Sequence, residues 1–201
     1  MTVTNNSLGA GRDIVGVSEF RVGEFTSGEQ KKPSITELAN GNLVVTWTSD
    51  DEQQDGTIVS AIMARILDAN GDEIVSEFSV REFTNNWLWD PSVTALANGH
   101  FVVTWEAYDG QQGDTPGSAI KARIFDANGV EIFNEFLVSE FTYGGQSTSS
   151  VTALTNGNFI VTWHSDDGLQ GDASSSAIKA RIFDANGVEI VSEFLVNGTR
   201  L

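Results

Sequence analysis

The sequence predicts an all-β fold that is β-propeller-like, built from three four-stranded repeats and one extra terminal strand. Three observations carry this reading. An interval of 58 residues relates Trp47, Trp105 and Trp163, then Asp68, Asp126 and Asp184, then Glu19, Glu77, Glu135 and Glu193, with no insertion. Each unit holds two Asn-Gly pairs, at 40–41 and 70–71 in the first, flanked by β-rich runs. Asn-Gly is the strongest short hairpin signal, because both central residues of a type I′ turn need positive φ. Finally, the runs "LVVTW", "FVVTW" and "FIVTW" are apolar on both faces, whereas a strand of a sheet with one wet face alternates.

These signals define strands a, b, c and d in each unit. In the second unit, "SVTAL" and "FVVTW" are a and b, while "SAIKARIFD" and "VEIFNEFLV" are c and d. Repeats run over 19–76, 77–134 and 135–192, between an N-terminal segment 1–18 and a C-terminal strand end 193–201, in one structural domain. A fully buried strand-b side chain contributes roughly 1.5–3 kcal/mol, so one unit alone is marginal and its neighbours must stack on it.

Three units fall short of the usual four to eight blades. A dimer closing a six-bladed ring answers this, and a β-trefoil or β-prism with pseudo-threefold symmetry is the alternative. Both "GVSEFRV" and "IVSEFLV" read as d strands, one more than twelve strands require. The N-terminal copy is expected to fill the outer edge beside strand c of another unit.

A chain of 201 residues that is 40% hydrophobic can bury a core. Its 28 acidic against 11 basic residues, a formal charge of -17, disfavour nucleic acid and anionic membranes, which need clustered Lys and Arg. No run has the length of a membrane span. The absence of cysteine excludes disulfides, thiolate metal sites and a Cys nucleophile. The first residues lack the basic and apolar regions of a secretory signal peptide.

The unit "ALANGHFVVTWEAYDGQQGD...SAIKARIFDANGVEIFNEFLV" resembles the tandem repeats of very large secreted bacterial and cyanobacterial proteins of hemolysin-type calcium-binding or adhesin-like kind. The resemblance implies an extracellular or cell-surface location without an N-terminal signal peptide, and an association with calcium. No "GGxGxDxLx" nonapeptide of that family occurs here.

Chemistry has two candidate places. The b–c loops are the most acidic segments, and Asp51, Asp55, Asp109, Asp114, Asp167 and Asp172 present the oxygens that a calcium ion needs. The d–a loops vary most between units, and Trp87, Trp89 and Tyr143 offer flat faces on which sugar rings could stack. Trp47, Trp105 and Trp163 read as core. Arg65, Arg123 and Arg181, with Lys121 and Lys179, are expected to pair with Glu77, Glu135 and Glu193. Neither histidine, His100 nor His164, recurs between units. The expectation is therefore a non-catalytic repeat module with a structural or adhesive role, not an enzyme. The alternatives are a carbohydrate-binding lectin with sites between repeats and a self-assembling scaffold without ligand. The expected partners are a second copy of the chain and a glycan.

Overall fold

A computed structural model describes residues 20–24, 28–84, 86–108, 117–140, 144–166, 168 and 176–197. The fold is all-β and propeller-like, with three antiparallel blades of four strands. Blade 1 comprises β1 (Glu29–Glu37), β2 (Leu43–Glu52), β3 (Ile58–Leu67) and β4 (Glu73–Thr84). Blade 2 comprises β5 (Trp87–Ala95), β6 (Phe101–Tyr108), β7 (Ala119–Phe125) and β8 (Glu131–Leu137). Blade 3 comprises β9 (Gln146–Ala153), β10 (Phe159–Ser165), β11 (Ala177–Phe183) and β12 (Glu189–Leu195). Within each blade the strands lie side by side in chain order. β1 packs against β5 and β5 against β9, so the first strand of every blade lies innermost.

The two-sided burial expected of strand b holds. In β6, Phe101, Val103, Trp105 and Ala107 pack toward blade 1 with Val44, Ile62 and Ile66. Val102, on the opposite face, packs with Val151, Val161 and Trp163 of blade 3. Trp47, Trp105 and Trp163 are buried, as their recurrence predicted.

The turns form where Asn-Gly stands, but not as type I′. Leu38 N donates to Asn42 O at 2.7 Å and Gly41 N to Leu38 O at 2.9 Å, which leaves three loop residues. Of these only Gly41, at φ 84°, has positive φ, the pattern of a type I turn followed by a left-handed glycine. The c–d turns are braced further. Asp68 Oδ1 accepts from Asn70 N at 2.8 Å and Asp72 N at 2.9 Å, and the Asp72 bond leads in holding that carboxyl below its ordinary pKa. Asp126 and Asp184 repeat the cap.

Two expectations change. Arg65, Arg123 and Arg181 pair with Glu73, Glu131 and Glu189 on the neighbouring outer strand, because that strand's bulges bring the glutamates within reach. The lysines do pair as expected, Lys121 with Glu135 at 3.6 Å and Lys179 with Glu193 at 2.8 Å. Second, the N-terminal strand copy does not lie beside a strand c of this chain, since β3, β7 and β11 each have their own outer strand. Residues 20–24 instead lie on the open face of blade 1. Phe20 covers Gly71 as Phe78 covers Gly129 and Phe136 approaches Gly187. Val22 O accepts from Arg65 as Val80 O does from Arg123 and Val138 O from Arg181. The segment stands where the outer strand of a preceding blade would end.

Candidate functional site

The innermost strands share an irregularity that builds the site. Lys32, Asp90 and Thr148 occupy one repeat position and have φ of 58°, 48° and 56°. Each lies at a break in the register with strand b. A bulge of this kind bends the strand and re-aims the side chains beside it. Non-glycine residues adopt such φ only where their surroundings enforce it.

In blade 2 the side chains beside the bulge are large. Trp87 pairs with Tyr108 and Trp89 with Glu106 across β5 and β6. Directly paired residues of an antiparallel ladder project from the same sheet face. One face of blade 2 therefore carries three aromatic rings and a carboxyl group. Trp87 is 56% and Tyr108 55% exposed, and the indoles of Trp87 and Trp89 meet edge to face at 4.9 Å. Asn86, Trp87, Trp89 and Tyr108 line a cleft of about 490 Å³. The same two tryptophans wall a second cleft of about 380 Å³, which Lys31, Asp50 and Asp51 of blade 1 also line. The Asp50 carboxylate, 2.5 Å from Lys31, holds that ammonium above its ordinary pKa.

Glu106 is the unusual group. It is only 8% exposed, and burial raises its carboxyl from 4.5 to about 7. The negative charge of Asp90 adds to the rise, while Ser118 and the Thr148 backbone oppose it by hydrogen bonding. Asp90 itself is ion-paired with Lys32 at 3.3 Å. The inner end of blade 2 thus places a carboxyl able to hold a proton near neutral pH close to the ion-paired Asp90 and to exposed aromatic faces. Such a set can protonate a leaving oxygen while rings stack beside it.

Of the residues that the sequence put forward, Trp87 and Trp89 come together in this site. Tyr143, Asp109, Asp114, Asp167 and Asp172 lie outside the described residues. Asp51 lies on the wall of the second cleft. Asp55 caps its own turn, accepting from Thr57 N at 2.9 Å. Among the described residues no three His, Cys, Asp or Glu side chains gather as a metal group needs. Sequence reasoning passed over Glu106, Tyr108 and Asp90. A signal existed: Thr48, Glu106 and His164 share one repeat position directly after the core tryptophan, and only the second blade places an acid there. His164 Nε2 meets both Ser176, at 2.6 Å, and Asp166, at 3.5 Å. Its Nδ1 faces another hydroxyl, Ser147.

No family model and no curated protein matches the sequence. Solved structures do share the fold. A thermostable family-43 glycoside hydrolase is similar at TM-score 0.54 and 16% identity, over 88% of this chain and 61% of that one. The GH93 α-L-arabinofuranosidase of Fusarium graminearum with arabinobiose gives 0.52 at 9% identity, over 83% and 66%. An endo-1,4-β-xylanase from Bacteroides thetaiotaomicron gives 0.51 at 11% identity, over 85% and 61%. This chain thus spans about three-fifths to two-thirds of their length. These neighbours overturn the expectation of a non-catalytic structural, adhesive, lectin or scaffold module, and with it the expectation that the chain is not an enzyme. Repetition in the sequence reports packing, and packing carries no information about chemistry.

Proposed function

We propose that this chain is a carbohydrate-active unit that takes part in glycoside hydrolysis at the inner end of blade 2. The observation that carries the proposal is Glu106, a buried carboxyl raised to about 7 on the same sheet face as Trp87, Trp89 and Tyr108. Glu106 is the proton donor to the departing glycosidic oxygen, since a general acid must still hold its proton at the working pH. Asp90 is the second carboxylate, which either activates water or attacks the sugar. Trp87, Trp89 and Tyr108 bind sugar rings on their exposed faces. The similar structures include an α-L-arabinofuranosidase with arabinobiose and an endo-1,4-β-xylanase, so pentose-containing oligosaccharides are the first substrates to try. An extracellular location fits a polysaccharide substrate and belongs to the same proposal.

The test is product release from arabino- and xylo-oligosaccharides, measured by chromatography alongside calorimetric binding. Glu106→Gln is expected to lower turnover by about 10²–10⁴-fold and to keep binding, whereas Trp87→Ala with Trp89→Ala is expected to lose binding. Binding without any turnover by the wild-type chain would overturn the hydrolase reading. So would turnover untouched by Glu106→Gln.

A further inference from the structure

The two junctions between blades are one interface used twice. Val93 and Val151 are buried there at 6% exposure each, whereas Ile35, the same repeat position on β1, is 60% exposed. On the other side of the junction, Ile62 and Ile120 are both 0% exposed, whereas Ile178, their counterpart on β11, is 39% exposed. Cross-blade hydrogen bonds repeat as well. Val93 N donates to Ser34 Oγ and Val151 N to Ser92 Oγ, each at 3.2 Å. Blades 1 and 3 therefore present the two complementary halves of an interface that the three blades form twice between them.

We propose that a second copy of this chain covers both open faces, head to tail, and closes a ring of two chains and six blades. The occupant follows from residue identity. The uncovered face of blade 3 repeats the faces that already seat blades 2 and 3, and the uncovered face of blade 1 repeats the faces seated on them. The number follows from closure: propellers close with four to eight blades, and with three blades per chain only two copies fall in that range. Ser150 would accept from the backbone N–H of Ile35 of the partner subunit, as Ser34 and Ser92 accept within the chain. Arg65 would exchange Val22 O for Val196 O of the partner subunit. Residues 20–24 are then a placeholder that the incoming outer strand displaces. This inference stands on packing and does not depend on the hydrolase reading.

Sedimentation of the full chain across a concentration series tests it. The wild-type chain is expected to reach the mass of two chains. Ile35→Glu and Ile178→Glu are each expected to sediment as monomers with unchanged circular dichroism, because both side chains are already exposed in the single chain. Ile74→Glu serves as control. Ile74 is 51% exposed, and its counterparts Ile132 and Ile190 are 47% and 52%, so no junction covers it and the dimer is expected to persist. A wild-type monomer at the highest soluble concentration would overturn the proposal. A dimer that resists both Ile35→Glu and Ile178→Glu, or one that Ile74→Glu breaks equally, would do the same.

Discussion

Blade 2 and its two neighbours were built from the same 58-residue pattern, yet their inner ends differ in one consistent way. In blades 1 and 3 the core indole is hydrogen-bonded: Trp47 Nε1 donates to Gln30 Oε1 at 2.7 Å and Trp163 Nε1 to Gln146 Oε1 at 2.9 Å. Blade 2 has Leu88 at the glutamine position, and Trp105 Nε1 is buried without a partner among the described residues. The same blade carries Glu106, whose carboxyl burial raises, and the exposed Trp87 and half-buried Trp89 on either side of Leu88. An unpaired buried donor costs about 1–3 kcal/mol. Blade 2 thus gives up hydrogen bonding in its inner end while concentrating apolar and acidic groups there. The two outer blades keep the structural version of the pattern, and the middle one departs from it where the candidate site lies.

Four measurements can break or sharpen this contrast. Trp163→Ala should show the largest loss. It removes a buried tryptophan, about 3–5 kcal/mol, and also takes the indole donor from Gln146, a further 1–3 kcal/mol or so. Trp105→Ala should lose only the first part, and equal losses in chemical denaturation would show that the Gln146 bond contributes nothing. Next, Lys179→Met copies Met63 of blade 1 but leaves Glu193 buried without its ammonium, which should cost about 3–5 kcal/mol. A near-neutral result would mean that the pair serves as little in blade 3 as methionine does in blade 1.

The third effect is a pH dependence. The Glu106 carboxyl is raised on folding, so the folded state holds its proton more tightly than the unfolded one. Its contribution is greatest at low pH and declines as pH rises from about the ordinary 4.5 to about 7. Glu106→Gln should remove that decline from a series of urea melts, and a slope unchanged in the variant would refute the assignment. The smallest effect is expected of Leu88→Gln, which offers Trp105 the partner found in the other blades. The new hydrogen bond, about 0.5–1.5 kcal/mol, opposes the lost apolar burial, so thermal stability should move little. A large drop would show that blade 2 cannot take the structural version of the pattern at all.

Much of the fold was legible because its determinants are local or periodic. The 58-residue spacing, the left-handed glycines at 41, 99 and 157, and the two-sided β2, β6 and β10 each follow from neighbouring residues. The exact turn type was not, because a three-residue loop and a two-residue loop both favour Asn-Gly. Trp87 and Trp89 could be singled out as departures from the repeat. Glu106 could not be weighed, because its significance lies in burial against blade 3 and in the charge of Asp90, neither of which lies beside it in the chain. The pairing of Arg65, Arg123 and Arg181 was misjudged for a similar reason: the bulged outer strands shift which glutamate faces which arginine.

By itself, then, the sequence determined a repeated, four-stranded, cysteine-free β architecture with tryptophan cores, because hydrophobic period and turn chemistry act over a few residues. Only the tertiary structure decided where residues 20–24 lie, which strand faces the axis, and which carboxyl is forced to keep its proton. Those outcomes depend on desolvation and on contacts between blades, and both exist only after the blades have stacked.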